Sequence, residues 1–252
     1  MPTPFPAAAG VRLAWPDLPE SVRAGVEELL GSRVVKTISQ PNGFSPGAAL
    51  RLQLADGRRA FVKAVGAQPN PESPKMHREK ARCLELMPRS APVPQLIGVY
   101  DEGDWVAVIL EDVAGRYPHL PWRIDELKRV MAAIERLQAE FTPCPVPNLP
   151  TVVERHQVTF DGWRELAKEP DRKLGPWARR HLVRLAELEV GWAEAVAGDT
   201  LLNADLRADN LLFTEAGSVV FLDWPGACRG AAWFDPLVMA PSVVMQGGPD
   251  PE

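Results

Sequence analysis

Residues 203 to 226, NADLRADNLLFTEAGSVVFLDWPG, carry three side chains whose oxygen atoms suit metal and proton chemistry. These are Asp205, Asn210 and Asp223, and they stand among apolar runs that are typical of buried strands. Burying a free carboxylate is costly, so we expect these groups to have a positioned role. Phosphoryl transfer needs a base and one or two oxygen ligands for Mg²⁺, which keeps waters and phosphate oxygens in its other positions. The segment therefore predicts a base at Asp205 and a metal site at Asn210 and Asp223.

A lysine far upstream is the second candidate for chemistry. Lys63 lies in the middle of RRAFVKAV, a predicted strand, where an ammonium group needs an anionic partner. An edge-strand lysine that faces water has the same pattern, and a lone D-x-x-x-x-N pair is typical of ordinary turns. A functional interpretation of Lys63 and of the D-x-x-x-x-N pair therefore depends on both occurring in one chain, in this order.

The elements that must position these groups change character along the chain. Five extended runs predict one antiparallel sheet, and Asp56-Gly57 predicts a two-residue hairpin between the second and third of them. Three helical stretches follow Arg123. This order predicts an α+β protein of two lobes, with a five-stranded antiparallel sheet plus a helix in residues 1–111, a hinge in 112–121 and a mainly helical lobe in 122–252.

Composition excludes several classes of protein. The 252 residues have a formal net charge of −5 and contain no long run of Lys or Arg, which argues against nucleic acid as a partner. The N-terminal residues do not form a basic start followed by an apolar run, and no segment is apolar enough to predict a membrane span. With three cysteines in no metal-ligand spacing, a cytoplasmic protein with free thiols is expected.

Two segments together, NADLRADNLLF and VVFLDWPGA, resemble the aminoglycoside phosphotransferase family of the protein-kinase-like superfamily. The resemblance implies that Asp205 is the catalytic base and that Asn210 and Asp223 are Mg²⁺ ligands. It also implies that Arg207, at the position of a catalytic-loop lysine in protein kinases, steadies the transferred phosphoryl group. The family usually has His where this chain has Asn203, and we expect the amide to brace the loop by hydrogen bonding.

The same resemblance implies a nucleotide site between the lobes. Lys63 would bind the α and β phosphates and pair with Glu79 of the following helix, with Glu85 as a weaker candidate. Asp235 would be a structural residue that braces the catalytic loop. The remaining nucleotide-binding candidates are Gly43, Phe44 and Ser45, which with Asn42 lie in the loop QPNGFSPG, and Leu110, Glu111 and Val113 near the hinge.

These features predict an enzyme that moves the γ-phosphate of ATP or GTP to a hydroxyl of a small molecule, with an aminoglycoside or another antibiotic as a candidate acceptor. A metabolic kinase for an amino alcohol, a sugar or a nucleoside is one alternative, and a nucleotide-binding pseudokinase without turnover is another. Glu154, Asp161 and Glu165 either bind an amine-rich acceptor or lie on solvated helix faces. Family members usually continue through further C-terminal helices, so the helical lobe is expected to be short at its C-terminus.

Overall fold

A computed structural model describes residues 12–40, 46–68, 70–169 and 173–250. Its largest sheet is five-stranded and antiparallel, with the strand order β1-β2-β3-β5-β4. The fold class predicted from the sequence is thereby confirmed. The strands of this sheet are β1 (Val34–Ser39), β2 (Ala48–Leu54), β3 (Arg59–Gly66), β4 (Leu96–Asp101) and β5 (Trp105–Leu110).

The connection between β2 and β3 differs in length from the predicted hairpin. Leu54 N–H donates to the carbonyl of Arg58 at 2.9 Å, so the turn contains Ala55, Asp56 and Gly57 rather than two residues. Gly57 has φ +87°, a backbone conformation that a side chain disfavours. The prediction of a turn at Asp56-Gly57 was therefore right in place and wrong in length, because a three-residue turn also uses one glycine with positive φ.

The helices fall before, within and after this sheet, and none in the described ranges is long and apolar enough to cross a bilayer. The two long helical stretches predicted after residue 150 are each divided, at Asp161 and near Gly191. The helices are α1 (Glu20–Leu30), α2 (Glu72–Leu86), α3 (Ile124–Glu140), α4 (Val152–Phe160), α5 (Gly162–Lys168), α6 (Pro176–Leu188), α7 (Trp192–Ala195) and α8 (Phe234–Met245).

Strand alternation divides the sheet between two apolar clusters. Ala107 and Ile109 of β5 face α1, whereas Val106, Val108 and Leu110 belong to a cluster that also contains α2 and α3 side chains. That second cluster continues into the helical lobe, so apolar packing joins the sheet to the region around the candidate metal ligands. The division at residues 111 and 121 stays a prediction.

Short strand pairs hold the loop that carries Asp205. Strand β6 (Thr200–Leu202) precedes the loop and pairs with β9 (Cys228–Gly230), while β7 (Leu211–Phe213) follows it and pairs with β8 (Val219–Phe221). Between β6 and β7, Asp235 at the start of α8 accepts hydrogen bonds from the N–H groups of Asn203 at 3.0 Å and Ala204 at 2.8 Å. Asp235 is fully buried, and burial raises its pKa to about 6, although the two N–H donors act in the opposite direction.

We expect ionisation of the buried Asp235 carboxyl group to destabilise the folded protein as pH rises. In the unfolded chain its pKa is near 3.8 and in the folded chain about 6. The contribution to stability is therefore complete below the unfolded value and is lost as pH rises through the folded value. Relative to Asp235→Asn, the free energy of unfolding of the native protein should fall between pH about 4 and about 6, by about 3 kcal/mol in total.

Urea unfolding of both proteins at a series of pH values measures this difference. The variant also loses one of the two acceptor atoms, which adds a pH-independent offset. Two stability profiles that run parallel across this pH range would contradict the elevated pKa.

Candidate active site

Asp205 and Asn210, two of the residues predicted to do chemistry, contact each other in the loop between β6 and β7. Asp205 accepts a hydrogen bond at Oδ2 from Asn210 Nδ2 at 3.1 Å, and Asn210 Nδ2 also donates to the Asp205 carbonyl at 2.8 Å. A 3-10 turn at Ala208–Asn210 makes this contact possible, because it brings the sixth residue of the motif back toward the first. The amide nitrogen is thus directed at Asp205, and the amide oxygen is the atom with which Asn210 can bind a metal.

Arg207 lies against the other oxygen of Asp205. Its Nη1 is 3.1 Å from Asp205 Oδ1, while Nε and Nη2 each lie 3.0 Å from a carboxylate oxygen of the buried Asp209. The paired contact to Asp209 fixes the plane of the guanidinium group. Burial raises the pKa of Asp205 and outweighs the opposing charge of Arg207. Asp209 was not predicted from the sequence, since a carboxylate inside the motif has no distinguishing spacing.

Asn203 connects this loop to the segment that carries Asp223. Its Oδ1 accepts from Asp205 N–H at 3.0 Å, and its Nδ2 donates to the Asp223 carbonyl at 3.0 Å. Ala204 and Asp223 both have positive φ, 59° and 53°, which L-residues other than glycine rarely adopt. Backbone strain of this kind persists only where surrounding contacts hold it. The Asn203 side chain and Asp235 supply such contacts, as expected from the sequence.

Two lysines from the sheet lobe contact the Asp223 carboxylate. Lys63 Nζ lies 2.7 Å from Oδ2, and Lys80 Nζ lies 2.6 Å from Oδ1. Burial acts to raise the pKa of Asp223, but the charges of both lysines outweigh it and hold that pKa well below its usual range. Burial lowers the pKa of Lys80 to about 8, against the attraction of Asp223.

Lys63 reaches this position because of its register in β3. It pairs with Ala49 of β2 and Val108 of β5, and it shares the face of Phe61, whereas Val62 points to the α1 side. A lysine in the middle of a central strand thus finds its anionic partner 160 residues later in the chain. The edge-strand interpretation of Lys63 is wrong, because β3 lies between β2 and β5.

The expected pairing of Lys63 with Glu79 is not present. Glu79 contacts Arg155 of α4, with 3.3 Å between Oε2 and Nη1. Adjacent residues of a helix point about 100° apart, so with Lys80 buried in the site, Glu79 is turned outward. Its side chain is 43% exposed, against 4% for Lys80. We therefore withdraw Glu79 as the partner of Lys63.

Lys80 was not predicted from the sequence as a site residue. The buried face of α2 contains Ser73, His77, Lys80 and Leu84, which follow helical spacing back from Leu84. Met76, an apolar residue of the same helix, is 45% exposed instead. Apolar spacing alone therefore does not identify which face of α2 is buried.

A cleft separates the sheet from the β7–β8 pair. Glu111 N–H donates to Gln95, while no hydrogen bond in the described ranges engages the Glu111 carbonyl or Val113 N–H. Glu111 and Val113 both line this cleft, which the resemblance assigns to a nucleotide. The lining includes the predicted residues Lys63, Leu110, Glu111, Val113, Asn210 and Asp223, together with Phe61, Lys80, Asp209, Leu212 and Leu222.

Four predicted phosphate-loop residues fall outside the described ranges. They are Asn42, Gly43, Phe44 and Ser45. The loop is described again from Pro46, and Gly47 has φ +92° with its carbonyl accepting from Leu13 N–H at 3.2 Å. Placement of these four residues over the phosphates stays a prediction.

Hard oxygen ligands make the site suited to Mg²⁺. Asp223 offers a carboxylate and Asn210 an amide oxygen, both at the cleft, and Mg²⁺ is commonly held by one or two protein oxygens plus substrate phosphates and water. Within the described ranges no group of three or more His, Cys, Asp or Glu side chains is arranged to hold a metal by itself. The residues present therefore fit a metal that arrives with phosphate.

Comparison with known proteins places the chain in a family. A family model described as "Phosphotransferase enzyme family" matches residues 41–251. No curated protein is similar enough in sequence to count as a match.

Several solved structures share the fold. An aminoglycoside-3'-phosphotransferase of type VIII is 20% identical, with a TM-score of 0.57 over 91% of this chain and 87% of that chain. The macrolide 2'-phosphotransferase MphH from Brachybacterium faecium is 17% identical, with a TM-score of 0.56 over 92% and 86%. The phosphotransferase APH(3'')-Id from Streptomyces rimosus, solved with ADP and streptomycin, is 19% identical, with a TM-score of 0.54 over 81% and 78%.

Identities this low establish a common fold and leave the substrate open. The family model, in contrast, covers most of the sequence, including Lys63, Asp205, Asn210 and Asp223. This chain therefore belongs to the phosphotransferase enzyme family.

Proposed function

We propose that this protein is a kinase that transfers the γ-phosphoryl group of ATP to a hydroxyl of a small molecule. The observation that carries the proposal is the contact of Lys63 with Asp223, 160 residues apart, directly beside the linked pair Asp205 and Asn210. A cation for phosphates and two oxygen ligands thus line one cleft, and a carboxylate base contacts one of those ligands. That set is the minimum for phosphoryl transfer.

Asp205 would hold the acceptor hydroxyl. One carboxylate oxygen takes the hydroxyl proton while the hydroxyl oxygen forms the new bond to the γ-phosphorus, and the bond from that phosphorus to the β-γ bridging oxygen breaks. ADP leaves with the electron pair of that bond. The raised pKa of Asp205 increases its affinity for the proton it receives. Arg207, oriented by Asp209, can stabilise charge that develops on the transferred group.

Asn210 and Asp223 would hold Mg²⁺, and Lys63 would contact the α and β phosphates. When bound, the metal neutralises phosphate charge and aligns the triphosphate. The purine is proposed to lie against Glu111 and Val113, with Leu110 beside it.

The acceptor is proposed to be a hydroxylated small molecule. Aminoglycosides and macrolides are the first candidates, because two proteins of similar structure are named as phosphotransferases for these compounds. The acidic side chains considered as amine ligands have local partners instead. Glu154 caps α4 through Thr151, Asp161 contacts Arg164 and Trp192, and Glu165 contacts Lys168. None of the three is therefore proposed as an acceptor ligand.

One observation favours a second candidate function, a nucleotide-binding pseudokinase. Each carboxylate oxygen of Asp223 contacts a lysine, Lys63 or Lys80. Lys80 thus lies in the position that was expected for the carboxylate of Glu79. A site in which Asp223 stayed in these contacts would bind nucleotide without aligning a metal.

Replacing Asp205 by Asn should separate the two functions. With Mg²⁺, ATP and a panel of aminoglycosides, macrolides, sugars, amino alcohols and nucleosides, we expect acceptor-dependent ADP release from the native protein. The variant should lose about 10²- to 10⁴-fold in kcat, because the general base is removed, while its Kd for ADP stays unchanged. Steady-state kinetics and calorimetry measure the two quantities.

Asp199→Asn is the matched control, since this carboxylate lies in the same lobe and is 53% exposed. Its turnover should equal that of the native protein. Nucleotide binding without turnover on any acceptor would reject the kinase and favour the pseudokinase.

The hinge geometry also predicts a preference for adenine over guanine. A free carbonyl at Glu111 and a free N–H at Val113 match the amino group and N1 of adenine, whereas guanine presents an oxygen and an N–H at the same edge. Each mismatch leaves a buried polar group unpaired, at about 1–3 kcal/mol. We expect ADP to bind at least about tenfold more tightly than GDP, as measured by calorimetry. Equal affinities, or tighter GDP binding, would contradict this arrangement of the base.

A further inference from the structure

Lys80 is a cation in direct contact with Asp223 that the proposed mechanism does not use. Its side chain is 4% exposed and its Nζ lies 2.6 Å from Asp223 Oδ1. The neighbouring buried group, His77, donates from Nδ1 to the Ser73 carbonyl at 3.0 Å. Burial, followed by the charges of Lys80 and Lys63, lowers the pKa of His77 to about 4, so this imidazole is neutral at pH 7.

The local charge differs from that of a site with a lysine and a glutamate facing the metal-binding aspartate. Lys63, Lys80 and Asp223 together carry one net positive charge, whereas Lys63 with a glutamate and Asp223 would carry one net negative charge. The change of two charges lies in a largely buried position, where screening by solvent is weak. A binding site with this charge attracts an anion even before a metal is added.

Lys80 is also within reach of the cleft. Lys63, Lys80 and Asp223 line both the nucleotide cleft and an adjoining cavity that extends to Pro46 at the end of the phosphate loop. Lys80 therefore belongs to the lining of both spaces. A change in the side-chain torsions of Lys80 would carry Nζ from Asp223 to a phosphate in the cleft.

Each oxygen of Asp223 already accepts a hydrogen bond from an ammonium group, so a metal at either oxygen would bring a second cation against it. Lys63 and Lys80 each hold one of its two oxygens. A phosphate chain provides both lysines with alternative anionic partners, and transfer of Lys80 to phosphate frees Oδ1.

We propose that Lys80 is a second phosphate-binding lysine, which contacts Asp223 in the absence of nucleotide and moves to the phosphates when nucleotide binds. The inference rests on the proposed nucleotide site. Its consequence is that this protein binds a nucleoside triphosphate without Mg²⁺, because Lys80 supplies part of the charge that the metal otherwise neutralises.

The test compares the Kd of AMP-PNP in EDTA and in Mg²⁺ by calorimetry. The native protein should bind in both solutions. Lys80→Gln, which can still donate to Asp223, should weaken binding in EDTA by at least about tenfold and binding in Mg²⁺ by less, because a charge-assisted contact to phosphate is lost. Lys80→Arg should restore binding in EDTA.

Lys75→Gln is the matched control, since Lys75 lies on the same helix and is 66% exposed; its affinities should equal those of the native protein. Equal binding in EDTA by Lys80→Gln and the native protein would overturn the role of Lys80 and leave the nucleotide site intact. Absence of nucleotide binding by the native protein in both solutions would reject the proposed function itself, and the role of Lys80 with it.

A crystal structure of the native protein with AMP-PNP in EDTA tests the same point without a variant. Lys80 Nζ within about 3.2 Å of a phosphate oxygen supports the proposal. Lys80 still bound to Asp223, with no phosphate contact, would refute it.

Discussion

The carboxylate of Asp223 between Lys63 and Lys80 is the interaction on which the site depends. It joins the sheet and α2 on one side to the segment after β8 on the other, and each contact spans more than 140 residues of chain. Removing the Asp223 carboxylate would leave the two ammonium groups without their shared anionic partner, which is far more costly than losing a surface ion pair. The same carboxylate is the proposed metal ligand, so the structural contact and the chemistry compete for its oxygens.

A second constraint acts on the backbone of the loop that carries Asp205. Positive φ at Ala204 and Asp223 is held by hydrogen bonds to Asp235 and Asn203. Asn203 contacts the Asp205 amide and the Asp223 carbonyl at once, so one small amide links the proposed base to the proposed metal ligand. The bracing role that the resemblance gives to histidine can thus be carried out by a shorter side chain, because the two backbone segments lie close together.

Family membership and the lining of the cleft give more information about the phosphate donor than about the acceptor. The nucleotide cleft is lined by backbone and side chains of both halves of the chain, whereas the acidic residues of α4 and α5 are engaged in caps and local ion pairs. These three side chains, Glu154, Asp161 and Glu165, are therefore not proposed to select an acceptor by its charge.

Local pattern determined most of the fold and part of the site. Strand and helix periodicity predicted the five-stranded sheet, and the five-residue spacing predicted that Asp205 and Asn210 act together, because both are properties of neighbouring residues. Only the tertiary structure decided which residue of α2 meets Asp223. Lys80 is buried and Glu79 is turned outward, because a partner 143 residues away selects the helix face, and no local pattern contains that contact.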